Sequence, residues 1–161
     1  MDLSRLSDHY SIRPLGQEDA DTVCALCRGN PLFYQYHPPF VTRESILEDL
    51  AALPPGKSYE DKFYFGFFTG AHLVAVMDLV LRYPDQETTF IGFFMVDIQD
   101  QGKGTGTEII SGCAACLREM GFRRLRLGVD KGNPQSFAFW TKNGFTPSGE
   151  NDHLIYMDRR L

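Results

Sequence analysis

Apolar residues dominate three stretches in the middle of the chain, FYFGFFT at 63–69, HLVAVMDLVL at 72–81 and TTFIGFFMV at 88–96. All three are rich in aromatic and β-branched residues, and turn-prone TGA and RYPDQE separate them, so they predict a meander of three strands. Phe63, Phe65 and Phe67 share one face, whereas the adjacent Phe93 and Phe94 must point to opposite faces. Upstream, HYSIRPL at 9–15 predicts an opening strand ended by Pro14 and Gly16. QEDADTVCALCRG at 17–29 predicts a helix, acidic at its start and with Gly29 near its end. NPLFYQYHPPF at 30–40 reads as an aromatic connector broken by proline. Thr42 caps a second helix over 43–53, which Pro54, Pro55 and Gly56 terminate.

Downstream, VDIQDQGKGTG at 96–106 leads into a helix that runs to about Met120 and stops at Gly121. RRLRLGVD at 123–130 predicts a strand, NPQSFAFWTKN at 133–143 a short helix ended by Gly144, and 145–149 with 153–159 the last strands. No internal repeat, low-complexity tract or long linker interrupts this order. It predicts one α/β domain over residues 1–161.

Composition narrows the function classes. With 161 residues, 43% of them hydrophobic and including 13 Phe and 7 Tyr, the chain can fill one sizeable core and is unsuited to disorder. A net charge of −5 excludes a general nucleic-acid binder. The locally basic RRLRL alternates with apolar residues as a strand does. MDLSRLSDHYSI lacks the basic start and apolar core of a signal peptide, and no apolar run is long enough to span a bilayer, so a cytoplasmic protein without membrane association is expected. Cys24/Cys27 and Cys113/Cys116 have a spacing that can suit zinc. Both pairs sit in helix-like apolar stretches without the turn residues of a metal knuckle, and buried thiols rather than a metal are expected.

The glycine segment carries the first candidate chemistry. A glycine-rich turn between strand and helix aims unpaired backbone N–H groups at one point, and the helix start adds positive potential, which suits phosphate or diphosphate. Gly102, Gly104 and Gly106 permit close approach, Gln101 can orient the turn, Lys103 adds charge at its rim, and Thr105 and Thr107 offer hydroxyls. The ATP-type loop is not matched, because Lys103 is followed by Gly104. The dinucleotide fingerprint is not matched either, because its last glycine position holds Thr107 or Ile109.

Gln101-Gly102-Lys103-Gly104-Thr105-Gly106 resembles the Gln/Arg-x-x-Gly-x-Gly/Ala signature of the GCN5-related N-acetyltransferase (GNAT) family. Asn133, Ser136, Trp140 and Gly144-Phe145 resemble that family's Asn-x-x-Ala-x-x-x-Tyr-x-x-x-Gly-Phe segment, and the order of elements agrees over nearly the whole chain. The resemblance implies a mixed central sheet flanked by helices and splayed between strands 4 and 5. It implies acetyl-CoA as cofactor, with backbone groups around Met95 and Val96 pairing with the pantetheine arm and a backbone N–H near Val96 facing the thioester carbonyl. It further implies Gln101 to Thr107 at the diphosphate, and Asn133, Ser136 and Trp140 along the arm.

The sequence departs from the family pattern where proton transfer is concerned. Trp140 stands at the frequent tyrosine acid, and an indole N–H has no acidic proton for that task. The stretch 90–96 carries no carboxylate. Asp97 and Asp78 are therefore the candidate bases, acting through water, and Tyr156 a candidate donor. Acceptor contacts are expected from Tyr34, Tyr36 and His37 in the connector, with Tyr83 on an opposite wall. The resemblance implies direct acetyl transfer to a primary amine of a small molecule or peptide; the alternatives are a non-catalytic acyl-CoA-binding sensor and another nucleotide-dependent enzyme. An exposed edge strand, or exchange of the last strand, offers a route to a homodimer.

Overall fold

The aromatic meander forms as three antiparallel strands in the computed structural model, which describes residues 1–161. They are β2 (Lys62–Thr69), β3 (His72–Leu81) and β4 (Thr88–Val96). The opening strand is β1 (Ser11–Pro14), and the C-terminal half adds β5 (Arg124–Asp130), β6 (Thr146–Glu150) and β7 (Leu154–Arg160). The seven strands make one mixed sheet in the order β1-β2-β3-β4-β5-β7-β6, in which only β4 and β5 are parallel neighbours. β7 enters the sheet between β5 and β6.

Helices α1 (Ala20–Arg28) and α3 (Arg43–Ala51) occur where the sequence predicts them, each slightly shorter. The first expected helix begins instead with a 3-10 turn over Gln17–Asp19, and the second ends where Ala52 turns to extended backbone ahead of Pro54. The Thr42 hydroxyl accepts from the Ser45 amide, the N-cap expected of it. α4 (Thr105–Glu119) follows the glycine segment, and α5 (Pro134–Lys142) follows β5. The connector differs from expectation, because Pro31–Tyr36 is a short helix, α2. Pro31 supplies the favoured first-turn proline, and Pro38 and Pro39 end the helical possibility just beyond.

Each face of the sheet has its own apolar cluster. The larger lies toward α4 and α5 and includes Phe65, Phe67, Met77, Leu79, Ile109, Ile110, Leu117, Leu125 and Trp140. The smaller lies toward α1 and α3 and includes Val23, Cys27, Ile46, Tyr64, Phe68, Val76 and Met95. β3 is buried on both faces, which explains its unbroken apolar run and isolates Asp78 as its one charge. Burying each large residue such as Phe65 or Phe67 is worth about 1.5–3 kcal/mol.

The helical layer toward α1 and α3 stops at β4. In β5, Leu125, Leu127 and Val129 are buried toward α4 and α5, while Arg124, Arg126, Gly128 and Asp130 alternate onto the opposite face, where each is only partly buried. Cys24 and Cys27 lie in the smaller cluster and Cys113 and Cys116 in the larger, all as free thiols. The two pairs are on opposite sides of the sheet, so four thiolates cannot converge on one ion.

Candidate active site

β4 and β5 pair only from Thr88↔Arg124 to Ile91↔Leu127. Beyond that, β4 continues with β3 to Val96 and β5 continues with β7 to Asp130, so the two strands part and leave a V-shaped notch. The parting starts at Gly92, where the β3–β4 register slips between Asp78 and Leu79. Such a bulge bends its strand. Glycine is required there by close approach as well, since a Cβ at position 92 would lie 2.8 Å from Asp78 Oδ2.

Backbone polarity along the notch follows from one hydrogen bond. Asp97 N–H donates to Val74 C=O at 2.8 Å, which makes Ala75 and Val96 a non-hydrogen-bonded pair. By antiparallel alternation the main-chain groups of Val96 and Phe94 then face away from β3, into the notch, while those of Met95 are engaged with Val76. Phe94, rather than the expected Met95, joins Val96 in offering backbone to the notch. The Val96 carbonyl accepts from Gln101 Nε2 at 2.9 Å and Asn30 Nδ2 at 3.3 Å. That clamp fixes the Val96–Asp97 peptide, and the Val96 N–H, on the peptide before it, is the donor left aimed into the opening.

The glycine segment lies directly beyond. The amides from Gln101 through Thr107 donate to no protein acceptor, and α4 has no side-chain cap at its start. Backbone donors left unpaired in this number call for an anionic partner or water, and the helix start biases the choice toward an anion. Gly102 and Gly104 adopt φ of 73° and 90° with open space where a Cβ would stand, so conformation demands them. Gly106 has a different cause: a Cβ there would lie 3.0 Å from Cε2 of Phe139. Gln101 likewise spends its side-chain amide on Val96 and Asn30, so it orients the turn and has only its main chain for a ligand. The donors suit a diphosphate, and Lys103 and the Thr105 and Thr107 hydroxyls stand on the same turn.

On the α5 side of the notch, Asn133 is buried and its Oδ1 accepts from the Ser136 amide as the N-cap of α5. Trp140 is packed among Phe94, Phe139 and Phe145, with ring centroids 5.9, 4.9 and 5.1 Å away. It is a core residue of the larger cluster, and its neighbours Phe94 and Phe139 stack at 6.1 Å.

The proton-transfer candidates are not brought together. Asp97 accepts from the Gln99 amide and clusters with His72 and Asp100, at the first residue of β3 and so on the far side of β4 from β5. Asp78 points to the α1 and α3 face, where its Oδ2 accepts from Lys62 Nζ at 2.9 Å and its buried Oδ1 has no partner. Burial raises its carboxyl above the usual carboxylate range, with Lys62 pulling the other way. Tyr156 pairs with Gly128 of β5, and its hydroxyl accepts from Asn151 Nδ2 at 3.0 Å.

α2 forms the other wall. Phe33 packs edge-on to Phe93 of β4 at 6.1 Å and lies against the His37 ring at 5.3 Å. His37 Nδ1 is 3.0 Å from Oδ1 of Asp130, the last residue of β5. Tyr34 is half-buried against Phe33 and Phe40, and burial followed by neighbouring Cys27 pushes its phenol up. Tyr36 is partly exposed on the same helix. Tyr83 does not join them: it packs on Phe90, six residues or roughly 20 Å of strand from Val96. Asp130 and Asn30 are not among the site residues that the sequence singles out. Asn30, as the residue before the Pro31 helix start, carried a local signal; Asp130 carried none beyond its place at a strand end.

The acetyltransferase (GNAT) domain model matches residues 10–146. No curated protein sequence matches the chain. Among solved structures, an acetyltransferase from Thermus thermophilus superposes with a TM-score of 0.81 at 25% identity, covering 94% of this chain and 97% of that one. The PaiA N-acetyltransferase from Thermoplasma acidophilum, crystallised with coenzyme A, gives 0.71 at 18% identity over 94% and 99%. The ribosomal-protein-S18-alanine N-acetyltransferase from Escherichia coli gives 0.67 at 15% over 94% of each chain. The last two likenesses concern the fold. No helix is long and apolar enough to cross a membrane.

Proposed function

The chain belongs to the GNAT acetyltransferase family, and from that premise we propose that it is an N-acetyltransferase, moving the acetyl group of acetyl-CoA to a primary amine of a small molecule or peptide. The observation that carries this reading is the run of unpaired amides from Gln101 through Thr107, set just past the Val96 N–H that faces the notch. Acetyl-CoA, when bound, supplies an activated acetyl thioester. The amides of the turn hold its diphosphate, and the backbone of Phe94 and Val96 lines the place of its arm.

The Val96 N–H serves the developing negative charge at the acetyl oxygen. Val96 is anchored on its C-terminal side, where Gln101 and Asn30 hold its own carbonyl, so little reorganisation is needed at the moment of reaction. The notch itself brings carbonyl and nitrogen together, and proximity of this kind lowers the barrier without a covalent enzyme intermediate. Acceptor contacts are assigned to the α2 wall, Tyr34, Tyr36 and His37. Residence in the cytoplasm and assembly as a homodimer through an edge strand belong to the same proposal.

The test pairs binding with product analysis. Gly104→Val should abolish coenzyme A binding measured by calorimetry while circular dichroism stays native, because valine disfavours φ of 90°. Native dichroism with unchanged binding rejects the assignment of the turn. Wild-type protein incubated with acetyl-CoA and a diverse amine library should yield acetylated products by mass spectrometry. Coenzyme A binding with no transfer to any amine would establish the acyl-CoA sensor instead.

A further inference from the structure

We infer that His37 receives the proton released by the attacking amine, and that Asp130 is the positioning residue that holds its ring. The inference rests on the function proposed above and goes beyond it by assigning the base. Three observations converge. First, the pair spans the notch: His37 directly follows α2 as its C-cap, and α2 is docked through Phe33 onto Phe93 of β4, while Asp130 ends β5 on the other side. Second, Nδ1 faces both Asp130 oxygens, at 3.0 and 3.2 Å, so an Nδ1–H donated there leaves Nε2 as the free acceptor. Asp130 is largely buried, with 16% of its side chain exposed, whereas His37 is 56% exposed and open to an incoming molecule. Third, the carboxylates that might have served are committed elsewhere, Asp78 to Lys62 and Asp97 to the turn before Gln101.

A base whose other side is fixed by a third group is the arrangement that general-base chemistry requires. In the step assigned here, the amine lone pair forms the N–C bond and the C–S bond breaks, its electron pair leaving on sulfur. The nitrogen, acidified as the bond forms, passes its proton to Nε2 of neutral His37, and the imidazolium then gives that proton to the leaving sulfur or to water. The ionisable groups that face the ring are Asp130 from β5 and Asp49 from α3, and Phe33 of α2 packs against it.

The experiment uses full-length protein, acetyl-CoA, and spermidine and 2-phenylethylamine as probe acceptors. His37→Gln should lower kcat about 10²–10⁴-fold, abolish the acidic limb of the pH–rate profile and leave coenzyme A affinity unchanged. Asp130→Asn should lower kcat with no change in the KM for acetyl-CoA, and imidazole nitrogen NMR should show the His37 tautomer mixture shift away from Nδ1–H. His37→Asn, smaller and polar, is the second variant should glutamine disturb the fold. An unchanged acidic limb in a folded His37 variant overturns the assignment. Coenzyme A binding without acetylation of these two amines or of any other in the library overturns the function on which it rests.

Discussion

Lys62→Met should cost the protein about 3–5 kcal/mol at neutral pH, the usual penalty for leaving one member of a buried ion pair alone. Lys62 and Asp78 side chains are only 4% and 11% exposed, and Nζ is bonded to Asp78 Oδ2 at 2.9 Å. The same ammonium donates to the carbonyls of Asp49 and Ala52 at 2.8 and 2.9 Å, closing the C-terminal end of α3. Each lost bond to a carbonyl adds about 1 kcal/mol, so the variant forfeits a large share of the about 5–15 kcal/mol by which a domain is stable. The pH dependence has a definite sign. Asp78 has a folded pKa raised by burial, so its contribution is present below the unfolded value of about 3.9 and is lost as pH rises through the folded value. Removing Lys62 removes the opposing pull and extends that window upward. The deficit should therefore be greatest at neutral pH and shrink as the carboxyl takes up its proton. Urea unfolding followed by circular dichroism at neutral pH and near about pH 5 measures both quantities, and Asp78→Asn in the Lys62→Met background should recover most of the loss. A deficit independent of pH, or a double variant no better than the single one, would refute the reasoning.

Three further outcomes follow from the site. Gly106→Ala should destabilise by about 1–3 kcal/mol in thermal melts, because its Cβ falls 3.0 and 3.1 Å from the Phe139 ring; Phe139→Leu in the same chain should relieve it. Gln101→Ala should cost about 1–2 kcal/mol and weaken coenzyme A binding in calorimetry, since the Val96 carbonyl loses its 2.9 Å donor; unchanged melting and binding would show the clamp to be dispensable. Burial pushes the Cys27 thiol up to about 12 and Cys113 still further, so neither should react with an aromatic disulfide reagent until urea unfolds the chain.

Nearly every element was legible because its cause is local. The aromatic run of β2, the Thr42 cap, and the stops at Gly121 and Gly144 are each written within a few residues. α2 was the element missed, since aromatic residues between prolines suggest irregular chain and only the Asn30-Pro31 start argues for a helix. In the site, Gly102 and Gly104 could be read because a left-handed turn leaves a glycine signature. Which main-chain groups of β4 face the notch could not, for that depends on the phase of hydrogen bonding with β3 and hence on the bulge at Gly92. The motif likewise could not show that Gly106 yields to Phe139 or that Asp78 is tied to Lys62, because both partners come from other elements.

The unequal apolar clusters divide the molecule's resistance to change. α2 contains no fully buried residue and is secured mainly through Phe33 and Tyr34, whereas α4 sinks a long row of side chains beneath the sheet. Substitutions along α2 therefore draw on little of the packing that keeps β3, β4 and α4 in register. The surface that rises over one side of the notch can be remodelled residue by residue while the glycine turn and its supporting strand stay as they are.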